Sequence, residues 1–86
     1  MKIDFKKLVV KDIDGKEIPE PGKILAGTIY TLTKDLSLVS IALDINKGVE
    51  VEISGPQIEE IKRIVEDEKA GYFAFFKKAV LDFLNK

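Results

Sequence analysis

The stretch GVEVEISGPQIEEIKRIV, residues 48–65, constrains the fold more than any other part of this chain, because its hydrophobic period changes from two to nearly four at a single point. Before Ser54, apolar Val49, Val51 and Ile53 alternate with Glu50 and Glu52, the pattern of a strand with one buried and one wet face. After it, Ile58, Ile61 and Val65 recur at helical spacing, with Ile64 at the margin and Glu59, Glu60, Lys62 and Arg63 outside. Ser54 is placed to accept from the first free amides of that helix. Pro56 falls in the first turn, where no donor is needed, and Gln57 can reach back to the cap. The spacing therefore predicts a strand over about 49–54 running directly into a helix, so the fold must contain both a sheet and helices.

Toward the N-terminus, IDFKKLVVKDIDGKEI predicts an extended strand from Ile3 to Asp12, a two-residue turn at Asp14-Gly15 and a short return through Ile18. Ile3, Phe5 and Val9 point one way on that strand and Leu8 and Val10 the other, so it is partly covered on both faces. PEPG at residues 19–22 ends the hairpin and starts a helix. From Lys23, the residues Leu25, Ile29, Leu32 and Leu36 form one amphipathic stripe, weakened by Gly27 and three threonines. Residues 37–46 fit two patterns equally. Leu38, Ile41, Ala42 and Ile45 make a helical face that Gly48 would cap; Val39, Ile41, Leu43 and Ile45 make a strand with a hairpin loop at Asn46-Lys47-Gly48. Periodicity leaves both open.

After EDEKAG, a closing helix is predicted from about Ala70 to Leu84, and it carries four rings in five positions: Tyr72, Phe73, Phe75 and Phe76. At 100° per residue Tyr72, Phe76, Ala79, Val80 and Phe83 gather on one face, Phe73 and Leu84 lie toward one edge, and Phe75 lies toward the other. The apolar arc covers about half the circumference, wider than the roughly 100° stripe a surface helix needs. Some rings should then exceed what one domain can cover and form a core shared across an interface; the alternatives are that all fill the domain's own core or that they hold a small ligand. Phe76, Phe83 and Val80, with Ile61 of the preceding helix, are assigned to the core, and Phe75, Tyr72, Phe73 and Leu81 to an interface. Residues 1–86 are too few for two cores, so one domain is expected, and burial in a domain this small leaves little margin. With no cysteine and no histidine, disulfides and most structural zinc sites are excluded, which leaves a homo-oligomer, expected to be a dimer, as the remaining source of stability.

Composition and motifs exclude much else. Fourteen basic residues face fifteen acidic ones, and Arg63 is the only arginine, which argues against a nucleic-acid partner. Read as a helix-turn-helix, the two segments of residues 23–46 would send SLVSIALDIN into a groove with an acid and no base. MKIDFKKL lacks the apolar run of a signal peptide and nothing approaches membrane-spanning length, so a cytoplasmic protein without a membrane partner is expected. Asp12-Ile13-Asp14-Gly15 resembles the opening of a calcium loop, but the twelfth position, which should be a bidentate acid, is Lys23. No metal or other cofactor is expected. Glu50 and Glu52 stand about 7 Å apart on one strand face, close enough for acid and base work, yet nothing flanking them supplies the burial that would raise one pKa. The Glu66-Asp67-Glu68 run reads as a solvated helix end. No nucleophile motif occurs, and the expectation is a protein without enzymatic activity.

Taken together, DIDGKEI, GKILAGTIY, IALDINKGVEVEIS and QIEEIKRIV followed by an apolar helix resemble a type of small, uncharacterised protein of tailed bacteriophages, prophages and integrated mobile elements. In that type the segment before the VEVEIS-like strand is helical, which favours helix for residues 37–46. The C-terminal helix here is more aromatic than the pattern. The resemblance implies a non-enzymatic accessory protein that acts through protein association. A regulator or inhibitor of a host protein and a small-ligand-binding module are the alternatives. The expected architecture is a small α+β domain: an antiparallel sheet made of the N-terminal hairpin and the 49–54 strand, covered by about four helices, the last apolar and rich in rings.

Overall fold

The computed structural model describes residues 1–85. Its first strand is brief: β1 is Lys2–Ile3, and Phe5–Lys7 wind into a 3₁₀ turn as the Asp4 carboxylate accepts from the Lys6 amide at 3.0 Å. This corrects the expected strand over Ile3–Asp12. The turn resets the alternation, so Ile3, Phe5, Leu8 and Val10 all point into the core, while Val9 faces solvent instead of sharing the Ile3 and Phe5 side.

The Asp-Gly hairpin is present with a longer loop than two residues. The Ile18 amide donates to the Val10 carbonyl at 2.8 Å and the Asp12 amide to the Lys16 carbonyl at 2.9 Å, leaving Ile13, Asp14 and Gly15 as a three-residue loop. Gly15 sits at φ 81°, the left-handed position that such a loop requires after a type I turn, and its amide donates to the Asp12 carbonyl at 3.0 Å. This hairpin stands apart from the sheet, against expectation. The partner of β1 is β2, Val51–Glu52, paired antiparallel with Lys2 opposite Glu52 and Ile3 opposite Val51. The Ile53 amide adds one more bond, to the Met1 carbonyl at 2.8 Å. The strand expected over 49–54 is correspondingly shorter, and Val49, beyond the reach of β1, is exposed.

Four helices account for most of the remainder. α1 spans Pro21–Leu32 and α2 spans Leu36–Lys47, so residues 37–46 are helical. Asp35 decides the start of α2, accepting from the Ser37 amide at 2.9 Å and the Ser37 hydroxyl at 2.7 Å, and Gly48 closes its far end at φ 79°. Leu38, Ala42 and Ile45 turn inward, whereas Leu43 of the competing strand pattern is exposed. Leu36 does not continue the stripe of α1. Thr33 is already extended, and Leu36 opens α2 with 87 % of its surface in solvent.

The junction at Ser54 forms as the residues dictate. α3 is Gly55–Glu66, the Ser54 hydroxyl accepts from the Gln57 amide at 3.4 Å, and the Gln57 side-chain oxygen accepts from the Ser54 amide at 2.9 Å. Gln57 also donates to the Ser37 hydroxyl at 2.9 Å, tying the starts of α3 and α2 together. Ile64, placed at the margin from sequence, is fully buried with Ile58, Ile61 and Val65. A 3₁₀ turn at Glu68–Ala70 follows, and α4 runs over Ala74–Leu84.

α1 packs along α2, and α3 touches both α1 and α4. The radius of gyration is 11.9 Å, close to the ~12 Å expected of a folded chain this long. Leu25, Ile29, Leu38, Ile53, Ile61, Ile64 and Val80 are wholly buried, each contributing about 1.5–3 kcal/mol of transfer free energy. Among the described residues no polar or charged residue is classed with the buried core.

Candidate association surface

The surface is set up by Gly71. At φ 68° it ends the 3₁₀ turn in a left-handed conformation and keeps the chain extended through Phe73, so that α4 begins at Ala74 and not at Ala70. Tyr72 and Phe73 therefore lie outside the helix, and the wheel that placed them on one arc with Phe76 does not apply. They diverge instead. The Tyr72 ring turns inward against Phe76, centroids 4.6 Å apart, and its hydroxyl donates to Thr28 Oγ1 at 2.6 Å. Burial raises the pKa of this hydroxyl, and its hydrogen bond with Thr28 partly offsets that rise.

Phe73 turns outward. It occupies the N-cap position of α4 without any side-chain capping bond, 74 % of its surface is exposed, and its ring stacks on Phe75 at 6.2 Å with an interplanar angle of 19°. Phe75 is 42 % exposed, as is Ile24 on α1. With Ile18, Gly71, Tyr72 and Phe76 these residues line a groove of about 240 Å³ whose walls are almost wholly apolar.

Of the residues assigned to an interface from sequence, Tyr72, Phe73 and Phe75 meet in this groove. Leu81 is elsewhere, half-buried against the core. Of those assigned to the core, Phe76, Val80 and Ile61 are buried, and Phe83 is half-buried with its ring 5.5 Å from that of Phe5. Sequence reasoning missed Ile18 and Ile24 as groove residues. Ile24 carried a signal, since it lies outside the Leu25 and Ile29 stripe and must face away from the α1 core side.

The Asp12 carboxylate accepts from the Asp14 and Lys16 amides, both at 3.0 Å, and so organises its own turn. Among the described residues no cluster of three or more acids is arranged to hold a metal ion. Glu50 and Glu52 are both exposed, and Glu52 accepts from the N-terminal ammonium at 3.0 Å. Asp67 caps the second 3₁₀ turn through the Lys69 amide at 2.9 Å. A larger open cavity of about 430 Å³ lies between the start of α1 and the end of α2, edged by Lys6, Lys23 and Lys47. Glu20, which approaches Lys23 to 3.6 Å, and the carbonyl end of α2 both oppose those cations. No described helix is long and apolar enough to cross a membrane. Comparison with known proteins gives no match to a family model, to a curated protein or to a solved structure.

Proposed function

We propose that this chain is a non-enzymatic association module, an accessory protein of a phage or mobile element, and that it pairs with a second copy of itself through the face around Phe73 and Phe75. The observation that carries this reading is the stacked, outward pair of rings beside an apolar groove, at a helix start where the backbone alone favours serine, threonine or aspartate. Phe73 contributes little to its own domain, so covering it by another surface gives the ring a role. The groove also suits association better than catalysis, because its one hydroxyl, that of Tyr72, is already bonded to Thr28.

Light scattering over a dilution series tests the proposal. A dimer mass at high micromolar concentration is expected, and Phe75→Ala should lower the dimer fraction by more than any loss of folded protein seen in circular dichroism accounts for. A monomer mass throughout the series, or an assembly indifferent to Phe75→Ala, would refute it. A monomer that instead retains one stoichiometric host protein would move the function to regulation by the same face.

A further inference from the structure

The groove has a counterpart on the same molecule. Ile13, at the tip of the 10–18 hairpin, is fully exposed, at 100 % of its surface. Its loop is not slack. The Asp12 carboxylate accepts from two amides of the turn at 3.0 Å, and the Asp12 carbonyl accepts from Gly15 at 3.0 Å. An apolar side chain is thus held out from a preorganised turn, which lowers the ordering cost of inserting it elsewhere. The base of this hairpin is Ile18, and Ile18 lines the groove. Ile13 lies about three residues beyond Ile18 along the hairpin, roughly 10 Å at strand rise, so knob and groove are neighbours.

We propose that two copies of the chain close by reciprocal insertion: Ile13 of each enters the groove formed by Ile24, Phe73 and Phe75 of the other. This rests on the association reading above and names the residue that completes it. A knob and a hole carried by the same chain satisfy a two-fold arrangement, in which each contact is made twice. The groove, at about 240 Å³, has room for an isoleucine side chain, which displaces on the order of 100 Å³, three to four water volumes of ~30 Å³.

Phe73, Phe75 and Ile24 together expose on the order of 300 Å² of side chain, a patch that monomers ordinarily show. Adding Ile13 and counting both copies gives about 1,000 Å² of apolar surface, about the least that a specific interface buries. With a net charge of −1 per chain, repulsion between copies is slight.

The chain has no cysteine, so new thiols report unambiguously. Ile13→Cys in one chain and Phe73→Cys in another of distinguishable mass, mixed and oxidised, should give a mixed disulfide dimer in excess of that from either variant alone. Ile13→Ser should raise the dimer dissociation constant at least tenfold with unchanged circular dichroism, since the side chain touches nothing in its own fold. If Ile13→Ser leaves association intact while Phe73→Ser weakens it, the knob is overturned and the association face stands. If neither variant changes the assembly, or the protein is monomeric throughout, both fail. Cross-linking of Ile13→Cys with itself in preference to Phe73→Cys would overturn the reciprocal geometry.

Discussion

Phe73→Ser separates stability from association, because its effects on the two have different sizes that the structure sets in advance. Within the monomer, serine supplies the N-cap acceptor that α4 lacks, at a backbone geometry of φ −68° and ψ 155° already suited to it. Such a cap contributes about 1 kcal/mol. Against this stands the quarter of the ring that is covered, about 50 Å² of a ring that can bury ~200 Å², or about 1.3 kcal/mol at ~25 cal/mol per Å². The two nearly cancel. The stability of the dilute monomer, measured by urea titration, should therefore move by less than about 1 kcal/mol. Association loses the other three quarters of the ring, about 150 Å² and up to about 3.7 kcal/mol if fully covered. At 1.4 kcal/mol per decade, even half-coverage weakens the dimer more than tenfold. Sedimentation equilibrium of the variant beside the parent reads this directly. A loss of about 3 kcal/mol or more in the dilute monomer would show that Phe73 belongs to the core, and an unchanged dissociation constant would show that it belongs to no interface.

Three further outcomes are expected. Phe76→Ala, at a ring that is 6 % exposed, should cost about 3–5 kcal/mol and leave this small domain largely unfolded by circular dichroism. Ser54→Ala removes one half of the capping box and should lower the urea midpoint by an amount equivalent to about 1 kcal/mol. The Arg63 guanidinium, bonded to Glu60 at 2.7 and 3.0 Å, holds the Glu60 carboxyl below its ordinary value of 4.5. A depressed folded pKa means that the pair's contribution is complete above about 4.5 and fades as pH falls through the folded value; Glu60→Gln should abolish that part of the acid-side decline in a series of urea midpoints from pH 6 to pH 3.

The parts of the fold that were legible are those where a short-range chemical signal and a hydrophobic period coincide. Ser54, Pro56 and Gln57 fix the start of α3 from four residues of sequence, and Asp14-Gly15 marks a hairpin. The parts that were not legible are those where a polar side chain interrupts a period. Asp4 bends a run that alternates well enough to pass for a long strand, and Asp35 splits what reads as one stripe through Leu36. At the candidate surface, the concentration of rings was visible but their directions were not. These depend on Gly71 adopting a left-handed conformation, which takes Tyr72 and Phe73 out of the helical frame. Ile18 and Ile24 come to the groove only by tertiary packing, from segments far away in sequence.

The hydrogen bond from Gln57 to Ser37 joins more than two side chains. Asp35 holds Ser37, Ser37 accepts from Gln57, and Gln57 holds Ser54, so a single chain of polar contacts spans the first turns of two helices. Fraying at either helix start loses the one contact that it shares with the other. The amide protons of Ser37 and Gln57, twenty residues apart, are therefore expected to share part of their protection from solvent exchange through this common latch.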